Sequence, residues 1–233
     1  MNPMLNDLFD YGYKIYQDDN YFKFSLDSVI LAEFVNIKKN KYKVMDLCSG
    51  NAPIPMILNL KYNGQLDISA IEIQNDIYKL GKMSLEYNKI DNINYINADA
   101  REYYKTHKEK YDVITCNPPY FVVTDEKMLN DNSVKAIARH EICFNLEDLF
   151  LISSKMLENN GYLYFIHSSN RLGDIFDYSS KYNFGIKRIV PLYGNKKSSS
   201  NLVLVEAMFN GKNYVSIEQP IFINDYSSYQ NIF

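Results

Sequence analysis

The stretch Tyr111-Asp112-Val113-Ile114-Thr115-Cys116-Asn117-Pro118-Pro119-Tyr120 leaves this chain few architectures. Its first six residues are short, apolar and rich in β-branched side chains, the pattern of a strand buried on both faces of a parallel sheet. The two prolines end that strand abruptly, because neither can donate a ladder hydrogen bond and each fixes φ. A polar Asn and an aromatic Tyr are therefore held stiffly at the carboxyl end of a central strand, which is where open α/β sheets bind ligands. The Asn117 side-chain carbonyl and the Pro118 carbonyl are two acceptors, and Pro119 brings no N–H to compete. Together they can hold both hydrogens of a planar amino group and draw electron density onto its nitrogen. The Tyr120 ring can stack on the flat group that carries the amine. Such a loop prepares an aromatic or amide NH2 for attack on an electrophilic methyl group.

The preceding chain reads as repeated strand-loop-helix units. Residues 1–24 are aromatic and polar and suit a small cap or hairpin. Ser25 is a candidate N-cap, Asp27 and Ser28 fall in the first turn, and Leu26, Val29, Ile30, Ala32 and Phe34 supply an apolar helix face. Lys38, Lys39, Lys41 and Lys43 follow as a cationic linker. Val44 to Leu47 is expected to be a strand, Gly50 to turn the backbone, and Pro53 to open a helix running to about Leu60. The loop is neither the dinucleotide G-x-G-x-x-G nor a Walker loop. With Asp46 at the strand end and no phosphate-binding lysine, it favours a cationic nucleoside without phosphate. A second strand, Asp67 to Ile73, carries Glu72 near its carboxyl end, where a carboxylate can accept from ribose hydroxyls. A helix from Asn75 to Asn88 and a third strand from Asn92 to Asn97 lead to Asp99, placed to accept from an adenine amine. Each acid alone would serve equally as a solvated cap. Their recurrence at successive strand ends points to one ligand.

Beyond Tyr120, residues 121–141 read as a long substrate loop or lid ending in Ala138-Arg139-His140-Glu141. A helix is expected from Asn145 to Glu158, stopped by Asn159-Asn160-Gly161, then a strand from Tyr162 to His167. A helix from Arg171 to Tyr182 and strands Ile186 to Leu192 and Asn201 to Phe209 complete the pattern. The basic loop between those strands holds Lys196 and Lys197, and the tail after Gly211 can add an edge strand. His167 fits a strand-end core position better than a base. His140 is open between a substrate contact and a local ion pair.

Length and composition suit one domain over residues 1–233, divided into a cap (1–24), a core (25–210) and a tail (211–233). No run approaches the roughly 18 apolar residues of a membrane span, and Met1 to Asp7 lacks a signal pattern, so a cytoplasmic protein is expected. Three widely spaced cysteines without a CxxC read as reduced thiols, with no metal site. The formal charge of −3 leaves no overall basic footprint, so any nucleic acid would be met by local lysines such as Lys38, Lys39, Lys41, Lys196 and Lys197.

The loop from Asp46 to Pro53, Glu72, Asp99 and Asn117-Pro118-Pro119-Tyr120 resemble motifs I to IV of class I S-adenosylmethionine-dependent methyltransferases. The resemblance spans roughly residues 25 to 210. It implies a Rossmann-like, mostly parallel seven-stranded α/β sheet in the order 3-2-1-4-5-7-6, with strand 7 antiparallel and helices on both faces. Cys48 departs from a common glycine, and Asn51-Ala52 from a frequent small residue and glycine. The Asn-Pro-Pro-Tyr loop is similar to that of enzymes methylating planar nitrogens: adenine N6, guanine N2 and release-factor glutamine. Ser25 to Ala32 and Ala138 to Glu141 resemble the bacterial family that methylates adenine N6 beside the anticodon of valine tRNA. By this resemblance the cofactor is S-adenosylmethionine and the partner tRNA. Asp27, Asp46, Cys48, Gly50, Asn51, Glu72, Ile73, Asp99, Ala100 and Asn117 would hold the cofactor, with Asp27 near its methionine end. Asn117, Pro118, Pro119 and Tyr120 would form the catalytic loop. Tyr120, Phe121, Arg139, His140, Lys196 and Lys197 would meet the substrate. A release-factor glutamine enzyme, a guanine-N2 rRNA enzyme and a non-catalytic cofactor-binding assembly protein are the alternatives.

Overall fold

The computed structural model describes residues 2–21, 26–38, 42–119, 144–195 and 197–223. Strands β1 (Met4–Asp7) and β2 (Lys14–Gln17) pair as an antiparallel hairpin, one of the two forms expected of the N-terminal segment. Helices and strands then alternate: α1 (Leu26–Phe34), β3 (Lys43–Leu47), α2 (Pro53–Lys61), β4 (Asp67–Glu72), α3 (Asn75–Tyr87), β5 (Ile93–Asn97), α4 (Ala100–Thr106) and β6 (Tyr111–Cys116). Further on come α5 (Leu146–Met156), β7 (Leu157–Ser168), α6 (Leu172–Lys181), β8 (Phe184–Tyr193), β9 (Ser200–Phe209), β10 (Ser216–Ile217) and β11 (Ile221–Phe222).

The main sheet is ordered β10-β8-β9-β7-β6-β3-β4-β5, with β11 also paired to β8. Numbered from β3 as strand 1, this is the expected 3-2-1-4-5-7-6. The seventh strand, β9, is antiparallel to both its neighbours. The tail adds its edge through β10 and β11, both parallel to β8. Arg188 on β8 fastens that tail: its Nη2 and Nε donate to the two oxygens of Glu218, and its Nη1 donates to Glu206 on β9 at 2.9 Å.

The strands are apolar throughout because both faces are covered. Val44, Ile68 and Val113 face a core shared with α1, α2 and α3. Met45, Ile71 and Ile114 face a second core with Leu149, Phe150 and Ile152 of α5 and Ile175 of α6. This period-2 alternation turns Asp46 and Thr115, which are register partners, to the first face. Both are fully buried there.

One helix and one helix end depart from expectation by more than a residue. α4 was not foreseen, although Asp99 caps it by accepting from the Arg101 amide. α5 ends at Met156 rather than Glu158, because Leu157 turns extended, is buried and pairs with Tyr111. The Asn159-Asn160-Gly161 turn is absorbed into β7 as an irregularity, with Asn160 at φ 60°.

α1 is short and is clamped at its carboxyl end. Lys61 Nζ, at the end of α2, donates to the carbonyls of Glu33 at 2.6 Å, Val35 at 3.2 Å and Ala32 at 3.3 Å, and pairs with the Glu33 carboxylate at 3.3 Å. These are the acceptors that a helix leaves open at its end. Lys61→Met keeps the apolar stem and strands those carbonyls. It is expected to lower unfolding free energy by about 1–3 kcal/mol, seen as a lower urea midpoint. An unchanged midpoint would mean that water replaces the ammonium without cost.

Candidate cofactor and active site

Leu47 pairs with Ile71 on one side and Cys116 on the other, so the loops after β3, β4 and β6 emerge side by side at the carboxyl edge of the sheet. The loop after β3 is tightly wound: Cys48, Gly50 and Ala52 take φ of 55°, 60° and 69°. Cys48 thus occupies a left-handed position that glycine would take without strain, which accounts for the usual residue there. A Cβ on Gly50 would meet nothing within 4 Å, so that side of the loop is open to a ligand.

Side chains hold the loop from several directions. The Gly50 amide donates to Glu72 Oε2 at 2.9 Å, and the Gly50 carbonyl accepts from the Tyr95 hydroxyl. Tyr95 lies against Gly81 of α3, where an added Cβ would come within 2.5 Å of its ring. Asn51 Nδ2 donates to the Tyr16 carbonyl at 2.8 Å, tying the N-terminal hairpin to the loop. The hairpin is itself laid along α3: the Tyr16 amide donates to Ser84 Oγ at 2.9 Å and the Lys14 amide to Asn88 Oδ1 at 2.9 Å.

Two carboxylates are buried at adjacent strand ends. Glu72 also accepts from the Gln74 amide at 2.8 Å, and burial raises its pKa. Asp46 accepts from Thr115 Oγ1 at 2.5 Å through one oxygen, while its Oδ2 has no partner among the described residues. Desolvation first, and the charge of Glu72 beside it, push the Asp46 pKa up to about 7, although the Thr115 and Ser49 hydroxyls oppose the rise. Ser49 Oγ is also buried and makes no aligned hydrogen bond among the described residues. Burying two acids without a cation is unfavourable unless a positive ligand completes the site. The two neighbouring buried acids therefore suit a cationic group.

Asp99 has a partner that the sequence did not suggest. The Arg101 guanidinium binds it, with Nη2 to Oδ2 at 2.7 Å, and holds its pKa below the usual carboxylate range. Ile73 is 42% exposed beside Glu72 and offers an apolar surface for a flat ring. Ala100, the first residue of α4, is buried. Asn117 Nδ2 donates to Ser28 Oγ on α1 at 3.0 Å, which turns Oδ1 away from the helix. Asp27 precedes Ser28 in the same first turn.

His167 is 2% exposed on β7, and burial followed by the charge of Arg171 pushes its pKa down to about 4, in keeping with a neutral core histidine. Lys38 lies over the Tyr162 ring at 4.5 Å and Lys43 pairs with Glu109 at 2.7 Å, both at the amino ends of the strands, opposite the site. Lys197 is exposed between β8 and β9, at the carboxyl edge. Tyr120, Phe121, Arg139, His140 and Lys196 lie outside the described residues, as do Ser25, Lys39 and Lys41. Two residues that hold the site, Thr115 and Tyr95, are not evident in the sequence as site residues. Thr115, a lone hydroxyl in an apolar strand, was the available signal.

The family profile described as methyltransferase small domain matches residues 23–171. This chain belongs to that family. Its methyl donor is S-adenosylmethionine. Among curated relatives, a tRNA1(Val) (adenine(37)-N6)-methyltransferase of Cytophaga hutchinsonii is 24% identical over 82% of this chain and 79% of its own length. A release factor glutamine methyltransferase of Fusobacterium nucleatum is 25% identical over 78% of this chain, which spans only 51% of that relative. Among solved structures, a "predicted O-methyltransferase" of Agrobacterium tumefaciens matches with a TM-score of 0.67 at 16% identity, covering 87% of this chain and 89% of its own. The fold is thus that of Rossmann-like methyltransferases.

The raised Asp46 pKa makes a stability prediction for this methyltransferase. Between about pH 4 and 7 the folded carboxyl keeps a proton that the unfolded one has lost. Stability contributed by this group is therefore fullest at low pH and falls as pH rises, by up to ~1.4 kcal/mol per pH unit, levelling off above about 7. Asp46→Asn removes that slope. Without cofactor, its melting temperature relative to wild type should rise between pH 5 and pH 8. A difference that stays constant with pH would show that Asp46 is ionised throughout.

Proposed function

We propose that this methyltransferase modifies the exocyclic N6 amine of an adenine in tRNA, beside the anticodon of tRNA(Val). The observation that carries the chemistry is the Asn117 amide bonded through its nitrogen to Ser28. Its oxygen is left as an acceptor beside the Pro118 carbonyl, at the end of the central strand. Two acceptors and no competing N–H suit a planar NH2. The tRNA part rests on the relatives of that name and on the motifs around Ser28 and Arg139.

The Asp46 oxygen that has no aligned hydrogen bond among the described residues, the open side of Gly50 and the two neighbouring buried acids fit a cationic nucleoside cofactor. Asp46, Cys48, Gly50, Asn51 and Asp27 would line its amino-acid end. Glu72 and Ile73 would hold its ribose, and Asp99 and the Ala100 backbone its base. When bound, S-adenosylmethionine supplies an activated methyl group. The chain's own work is then positioning and electronic tuning. Asn117 Oδ1 and the Pro118 carbonyl accept the two amine hydrogens and keep the nitrogen lone pair aimed at the methyl. Tyr120, with Phe121, stacks on an adenine taken out of its own stack. Arg139, His140, Lys196 and Lys197 meet the RNA around it, Lys197 from the carboxyl edge. No strong base is required, because the amine loses its proton after transfer. We place the protein in the cytoplasm with its RNA. Among the described residues no helix is long and apolar enough to cross a membrane, and no cluster of three His, Cys, Asp or Glu could hold a metal.

A glutamine amide presents the same planar NH2, and the Fusobacterium relative makes it the second reading. The test is tritiated methyl transfer to undermodified tRNA, rRNA and a release factor. Wild type should label tRNA, and digestion should yield N6-methyladenosine. Asn117→Ala should be slower by about 100-fold or more, the scale of losing one aligned transition-state partner. Label confined to the release factor would replace the tRNA reading with the glutamine one. Label in rRNA as N2-methylguanosine would point to the third.

A further inference from the structure

We propose that Ser28 is a positioning residue that sets which end of the Asn117 amide faces the substrate. The inference rests on the reading of Asn117 as an acceptor for the target amine. An Asn side chain is nearly symmetric in shape, with an oxygen at one end and an NH2 at the other. Only one orientation works here. With the oxygen outward the amide accepts from the incoming amine. With the NH2 outward, donor faces donor, the amine hydrogen loses its acceptor, and the lone pair is no longer kept aimed at the methyl.

Pro118 and Pro119 stiffen the backbone at this turn but do not choose between the two ends of the amide. The nearest choice is made across the sheet face, by α1. Ser28 Oγ receives Asn117 Nδ2 at 3.0 Å, and Ser28 is 5% exposed, so water competes poorly for its hydroxyl, although Asn117 is only half-buried. The oxygen of Ser28 has two lone pairs and accepts the amide proton while giving its own elsewhere. Ser28 is the partner of the Asn117 amide nitrogen among the described residues, so turning the amide over would break that bond at a shielded end.

The role separates Ser28 from the residues that touch cofactor or substrate. Removing its hydroxyl should not weaken binding of either. It should reduce the fraction of time in which Asn117 presents its oxygen. The expected signature is therefore a loss in kcat with KM for S-adenosylmethionine and tRNA nearly unchanged.

The experiment is steady-state and single-turnover methyl transfer to undermodified tRNA by Ser28→Ala, Ser28→Cys, Ser28→Thr, Asn117→Ala and the Ser28→Ala/Asn117→Ala pair. Ser28→Ala should lower kcat by about 10-fold to 100-fold at constant KM. Ser28→Cys has nearly the same shape but a poor acceptor and should lose activity likewise. Ser28→Thr keeps the acceptor and should recover most of it. In the Asn117→Ala background the Ser28 change should cost nothing further, because Ser28 acts only through that amide. Wild-type kcat in Ser28→Ala or Ser28→Cys overturns the proposal, as does an equal loss in the Asn117→Ala background. If Asn117→Ala itself is fully active, the acceptor reading of Asn117 fails before Ser28 is considered.

Discussion

Much of this structure depends on two acids, Asp46 and Glu72, placed at the ends of neighbouring strands and buried with no cation beside them among the described residues. Glu72 spends its oxygens on backbone amides, those of Gly50 and Gln74, and so shapes the loop and the start of α3. Asp46 spends one oxygen on Thr115 and keeps the other. The division of labour follows from geometry. Glu72 is one methylene longer and reaches the turning loop. Asp46 is shorter and stays fully buried in the sheet, beside the loop that follows β3. The raised Asp46 pKa expresses first the cost of burying its charge and only then the repulsion from Glu72. A functional site often carries such local instability, offset by the surrounding core.

The loop is then braced by groups from far along the chain. Tyr95 from β5 binds the Gly50 carbonyl, and it can do so only because Gly81 leaves its ring room on α3. The N-terminal hairpin, remote in sequence, reaches the same loop through Asn51 and Tyr16. Backbone in the left-handed region at Cys48 is tolerated because these partners over-determine it.

This division explains what could be read in the sequence. Strands β3, β4, β5 and β6 were legible from short apolar runs ending in a polar residue, and the order of the sheet followed from the resemblance carried by those ends. Pro53 marked the start of α2 because its fixed φ and missing N–H are harmless only there. What stayed hidden was long-range. Nothing in Asn88, Ser84 or Tyr16 by itself announces that they join a hairpin to a helix. Asp99 looked like a ligand to adenine, and a neighbour two residues on supplied a guanidinium that shares it. The end of α5 was misplaced because a turn signal at Asn159-Asn160-Gly161 was outweighed by the burial of Leu157 in the sheet. Tertiary packing overrides a local signal where the local signal is worth less than one buried leucine.

α1 shows how position can matter more than propensity. Nine residues make a helix that is marginal in isolation. It persists because Ile30, Leu31 and Phe34 are buried against the sheet and α2, and because Lys61 satisfies its last carbonyls. Burial lowers the pKa of that lysine, and pairing with Glu33 opposes the shift. The opposite end of the same helix carries Ser28 to the Asn117 amide. The orientation of one side-chain amide at the end of β6 is thus set by a helix whose own placement is set by an ammonium about two turns away. The Asn-Pro-Pro turn alone therefore does not define the site, because Ser28, on a different element, bonds the amide that the turn presents.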